Sequence, residues 1–232
     1  MYTIDYLLKN SNLPGPRANL ELLNKSSKET DDVLIQECLA MIKPDTANSP
    51  EEVVGMCGVL GYAEINKANP IAALDYLRPY ASHKSWRIRE AVAMAIQVLA
   101  KENIRMILRH IRSWVNDNGY EQRAVIAGFC EPVVLVDESH NQTILKIIRE
   151  ITENLDHNDR LNEPEIALRK ALAYGWSVFI VASPTAGKKQ FEALFDLTGK
   201  HIKWIIKQNL KKNRLLKLDP EWVEKCQSTL ID

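Results

Sequence analysis

The sequence predicts an all-α protein, built as a right-handed α-α superhelix of stacked helical pairs. Three observations predict it. The first is a helix opening that returns. Trp86, Arg89, Val92 and Ala93 recur as Tyr120, Arg123, Ile126 and Ala127, each thirty-four residues on. A weaker copy follows at residues 166–173, where Arg169 takes the arginine place and Ala173 the alanine place. A fixed period in this range marks helical units that stack to bury a shared core. The second observation is an apolar spacing of three or four along the whole chain, with no sustained period-2 alternation. The third is that the breaker residues fall between the periodic stretches.

Each element follows in turn. Leu13-Pro14-Gly15-Pro16 ends an N-terminal segment, and a helix is expected near 28–42. Pro44 to Pro50 separates it from a helix near 50–64. Ser49-Pro50-Glu51-Glu52 predicts an N-cap, proline at the first helical position, then acids on the positive helix end. Asn69-Pro70 starts the next stretch, with Ile71, Leu74, Leu77 and Ala81 on one face. Ser82–Ser85 is a joint, after which Ile88, Val92, Ile96 and Leu99 form one stripe and Ile104, Ile107, Leu108, Ile111 and Val115 another. Asn116–Gly119 is the next joint. A longer loop at Glu131–Asn141 leads to the stripe Ile144, Ile148, Ile151 and Leu155, and Asp156–Pro164 is a second long loop. Ser183-Pro184 and Asp219-Pro220 repeat the cap-then-proline pattern. The expected order is one domain over 1–232: an N-terminal cap (1–48), helical pairs over 50–82, 85–117, 120–155 and 164–195, and basic C-terminal helices over 196–232.

Composition narrows the function classes. The 232 residues carry formal net charge zero, with 46% apolar residues, as in soluble globular proteins. Cys38, Cys57, Cys130 and Cys226 are scattered and form no C-x-x-C. They predict buried thiols in a reducing compartment, with no disulfide frame and no zinc site. No stretch reads as a leader or a membrane span, and a cytoplasmic location is expected. The five histidines form no H-x-x-x-H or Cys/His cluster, so neither metal nor cofactor is predicted. Ala186-Gly187-Lys188-Lys189 lacks the spacing of a phosphate loop.

Zero net charge hides an asymmetry. Residues 198–218 hold seven Lys/Arg and no acid, which leaves 23 basic and 30 acidic residues elsewhere, a net of −7. Lys200, Lys203, Lys207, Lys211 and Arg214 follow at steps of 3, 4, 4 and 3, so one continuous helix would align them. Trp204 lies beside them, and Ile202, Ile205, Ile206 and Leu210 take the other side. Such a stripe suits a polyanion. The other reading is a solvated face. For Arg89, Arg123 and Arg169 the alternatives are a pairing with an acid or carbonyl of the neighbouring repeat and a phosphate contact.

The repeated pairs resemble HEAT/armadillo-type repeats. Over about residues 85–212 the motif order is similar to the AlkD-type DNA alkylation repair glycosylases, an all-helical HEAT-like family that holds duplex DNA on its concave face. R-S-W-V-N-D-N-G-Y-E-Q-R-A-V-I-A resembles the family's tryptophan, turn, aromatic and arginine run, which implies a phosphate- and lesion-side role for Arg123. R-K-A-L-A-Y-G-W-S-V-F resembles its later helix, which implies a cleft aromatic at Trp176. S-W-R-I-R-E resembles its tryptophan and aspartate, which places Trp86 on the one and Glu90 on the other. Glutamate stands here for the family's catalytic aspartate, and Tyr120 for its tryptophan. A carboxylate moved by a methylene favours binding over strong catalysis. The expected function is a HEAT-repeat module that holds DNA or another polyanion through Trp86, Arg89, Arg123, Trp176, Lys200, Lys203, Trp204, Lys207 and Lys211. The alternatives are a glycosylase that excises alkylated bases, with Glu90 as its acid, and a protein–protein scaffold.

Overall fold

The computed structural model describes residues 2–230, and all regular structure among them is helical. The chain divides into two compact units, one up to Ile107 and one from Leu108 onward. Among the described residues no helix is long and apolar enough to cross a membrane.

The first unit holds α1 (Ile4–Lys9), α2 (Leu20–Glu29), α3 (Asp32–Ala40), α4 (Pro50–Ile65), α5 (Pro70–Leu77) and most of α6 (Trp86–His110). Its centre is α4, buried continuously from Glu52 to Gly61. Three glycines at steps of three make that possible. A Cβ at Gly55 would stand 2.6 Å from Ile42, at Gly58 2.7 Å from the Leu39 backbone, and at Gly61 2.8 Å from Ile35. The descending partners show α3 running antiparallel to α4, with the Leu39 backbone pressed against Gly58 and the Ile35 side chain against Gly61. On the other side the order rises. Glu52 meets Arg87, Gly55 meets Ile88, and Asn103 Nδ2 donates to the carbonyl of Lys67, just past α4 (3.1 Å). Thus α4 and α6 run parallel, with α5 as the return between them.

The second unit repeats this logic with α7 (Gly119–Phe129), α8 (Glu138–Glu153), α9 (Glu163–Ala182), α10 (Pro184–Glu192), α11 (Lys200–Leu210), α12 (Asn213–Leu218) and α13 (Pro220–Thr229). Gly119 lies against Pro164 and Gly175 against Ile126, so α7 and α9 are parallel. Arg169 covers Trp204, and Asn209 accepts from Ser177 N (2.9 Å) and donates to Leu172 O (3.0 Å), so α9 and α11 are parallel too. The returning helices follow suit: Ser183 donates to Glu138 (2.5 Å) and Arg149 to Gln190 (3.4 Å) across α8 and α10. First helices stack on first helices, and second on second.

Several boundaries differ from expectation. The pair expected over 85–117 is two helices that meet without a loop: α6 is broken at Asn103 (φ −129°, ψ 30°), where the backbone is not helical, and its second arm runs into a 3-10 turn at Ile111–Trp114. Residues 86–110 contain no proline or glycine, and Asn103 Nδ2 is turned to the Lys67 carbonyl at the break. The helix expected near 28–42 is divided between α2 and α3 at Thr30, each with its own cap, Asn19 and Asp31. Pro50 does open α4, but the Ser49 side chain makes no capping bond to the helix backbone, whose Glu52 N–H donates to the Ser49 carbonyl (3.0 Å). The Ser49 hydroxyl serves Glu51 instead and helps hold that carboxyl below its usual range. Cys38, Cys57 and Cys226 are buried, and burial pushes the Cys38 thiol up to about 12 and the Cys57 thiol to about 11.

Candidate polyanion-binding face

Helix α11 is amphipathic by sequence and by environment. Ile202, Ile205, Ile206 and Leu210 are buried, while Lys203 and Lys207 are exposed on the opposite side with Lys200 before them and Lys211 after. Spacing of four residues separates the lysines by about 6 Å along the axis. Among the described residues Lys203, Lys207 and Lys211 enter no ion pair. Lys200 is tied differently: its ammonium donates to the Asn158 carbonyl, and its backbone N–H to Asn158 Oδ1 (2.9 Å).

The expected stripe is not one continuous helix. α11 ends at Leu210 with Lys211 as its cap, and Arg214 lies on α12. The turn brings Arg214 to Tyr174 of α9 instead. Its guanidinium donates to the Tyr174 hydroxyl (2.7 Å) and lies 4.5 Å from the ring centroid, with the Lys212 ammonium at 5.7 Å. Tyr174 is exposed, so this aromatic and its two cations are a surface feature that sequence spacing did not single out.

A second cation–aromatic unit adjoins the lysines. Arg169 lies 4.4 Å from the centroid of half-buried Trp204, and its Nη1 donates to His201 Nδ1 (3.2 Å). Arginine can only donate, so Nδ1 of His201 is the acceptor and the ring proton sits on Nε2. That proton points to the Asp159 carbonyl at 2.9 Å. The contact fixes the tautomer and locks the first turns of α9 and α11 together. Arg169 therefore reaches the next first helix, as the repeat suggested, but through an aromatic ring and an imidazole.

The remaining predicted residues are spread along the chain. Trp86 is 55% exposed at the start of α6, with the Arg87 guanidinium 4.8 Å from its centroid. Arg89 is buried, and its Nη1 donates to the carbonyls of His83 (2.6 Å) and Lys84 (2.8 Å), closing the joint before its own helix. Glu90 and Arg123 are half-buried on α6 and α7. Trp176 is fully buried: its indole donates to Thr152 (3.0 Å) and its edge meets Phe191 (5.6 Å). In this conformation its ring is core, closed to any ligand. Arg87, beside the repeated arginine position, has an acid partner: its Nη1 bonds Glu52 at 2.8 Å while Ser85 donates to the same carboxylate. Glu52 at the third position of α4 was the available signal, since a carboxylate there faces inward only if a cation meets it.

No protein-family model matches the chain, and no curated protein and no solved structure is significantly similar to it.

Proposed function

We propose that this protein is a HEAT-like helical-pair module that binds a nucleic-acid polyanion along α11. The observation that carries the reading is the exposed row Lys203, Lys207 and Lys211, free of ion pairs among the described residues and uninterrupted by any acid. Surface helices ordinarily mix charge signs. The HEAT-like superhelix is supported by the parallel succession α7, α9, α11 and by α4 and α6. The relation to alkylation-repair proteins rests on the motif residues Trp86, Glu90 and Arg123. The core position of Trp176 favours binding over base excision.

The test is fluorescence anisotropy with a labelled DNA duplex at low salt. Lys203→Glu/Lys207→Glu is expected to abolish measurable binding. Lys203→Gln/Lys207→Gln should lower the slope of log K against log salt by about 2, because each phosphate contact contributes about 0.9. Undetectable binding of the unaltered protein, or an unchanged slope in the glutamine variant, sinks the reading.

A further inference from the structure

We propose that the first unit carries a docking cleft for a basic peptide segment of a partner protein, separate from the α11 face. The cleft, of about 520 Å³, opens where the starts of α1 and α3 meet the end of α2. Its apolar floor is Tyr2, Ile4, Val33 and Leu34. α3 turns Ile35, Cys38 and Leu39 into the core, which leaves Val33 69% exposed.

Four carboxylates surround this floor: Asp5, Glu29, Asp31 and Glu37. None enters an ion pair among the described residues, whereas Glu21, Glu52 and Glu64 of the same unit pair with Lys25, Arg87 and Lys67. Local structure accounts for two of the four. Asp5 lies in the first turn of α1, and Asp31 caps α3 by accepting from Leu34 N (2.9 Å). It does not account for Glu29, the last residue of α2, where a negative charge opposes the helix end. Glu29 also acts on Tyr2, whose phenol is raised first by desolvation and then by that carboxylate. Thr30 lines the cleft wall as well, and its buried hydroxyl has no hydrogen-bond partner among the described residues.

The chemistry selects the occupant. Among the described residues the acids form no cluster of metal-site geometry. They stand apart around an apolar floor. That arrangement matches a segment whose lysines or arginines alternate with aliphatic side chains: the aliphatics seat against Val33 and Leu34, and the cations reach the rim.

The experiment titrates the full chain into a fluorescein-labelled Lys-Leu-Lys-Leu-Lys peptide. Binding is expected to weaken by about tenfold in Glu29→Gln/Glu37→Gln and again in Val33→Ser, all of them surface changes. Glu221→Gln/Glu224→Gln on α13 should leave it unchanged, as should Lys203→Gln/Lys207→Gln on α11. A peptide with glutamine for lysine, or serine for leucine, should bind correspondingly less. The proposal is overturned by no binding of the Lys-Leu peptide, by equal affinity in the cleft variants, or by an equal loss in the α13 variant. None of these outcomes touches the DNA titration, so the two proposals stand or fall apart.

Discussion

Glu52 and Arg87 hold an ion pair almost wholly removed from water, with side chains 2% and 7% exposed. Ser85 and the Gly15 carbonyl complete the polar shell. Such a pair contributes little relative to a well-packed apolar substitute, yet breaking one side strands a buried charge. Arg87→Met is therefore expected to cost about 3–5 kcal/mol in urea unfolding. Arg87→Met/Glu52→Leu should recover much of that loss. A double variant no more stable than the single one would show that the pair fixes the geometry of the α4–α6 joint beyond its charge balance. At this scale the sequence is least explicit. Arg87 and Arg89 flank Ile88 in one motif, and only the position of α4 brings Glu52 to the Arg87 guanidinium. Trp176 poses the same problem: a core tryptophan and a cleft tryptophan fit the same helical period, and the deciding contact, Thr152, comes from another helix.

The helices are better marked, because their signals are local. Proline at the first position opens α4, α5, α10 and α13, each where the chain was expected to start a helix. The caps are less uniform. Asp219 behaves as its Asp-Pro motif suggests and accepts from Trp222 N at 3.0 Å. Ser183 gives its hydroxyl to Glu138 instead of its own helix. Asp219 also receives the Lys188 ammonium, and these two bonds, Lys188 first, hold its carboxyl below the usual aspartate range. A carboxyl depressed in the folded state stabilises the fold above its unfolded value and ceases to do so as pH falls through its folded one. Asp219→Ala should lower the melting temperature at neutral pH. The gap to the unaltered protein should close below about pH 3.9, where an unfolded aspartate takes up its proton. A gap that persists in acid would assign the effect to packing of the Trp222 ring, which the Lys188 ammonium also faces.

At the scale of the whole molecule, charge is the property most legible in sequence, because it needs no contact to be counted. The seven cations of residues 198–218 balance a net of −7 elsewhere, and the structure exposes the lysine row while the acids of the α1–α3 cleft enter no ion pair among the described residues. Zero net charge with segregated signs removes the repulsion that keeps copies apart and leaves attraction between unlike patches. Static light scattering near the pI of about 7.0 should report net attraction between copies at low salt, fading as the Debye length shrinks to about 8 Å at physiological ionic strength. Lys203→Glu/Lys207→Glu takes the net charge from 0 to −4, since each change removes one positive and adds one negative charge. Lys101→Glu/Lys146→Glu, both on exposed helix positions, makes the same change outside the row. If the patch is the cause, attraction should vanish in the first variant and persist in part in the second. Equal loss in both would assign it to net charge alone and leave α11 no special part in how the molecule meets its surroundings.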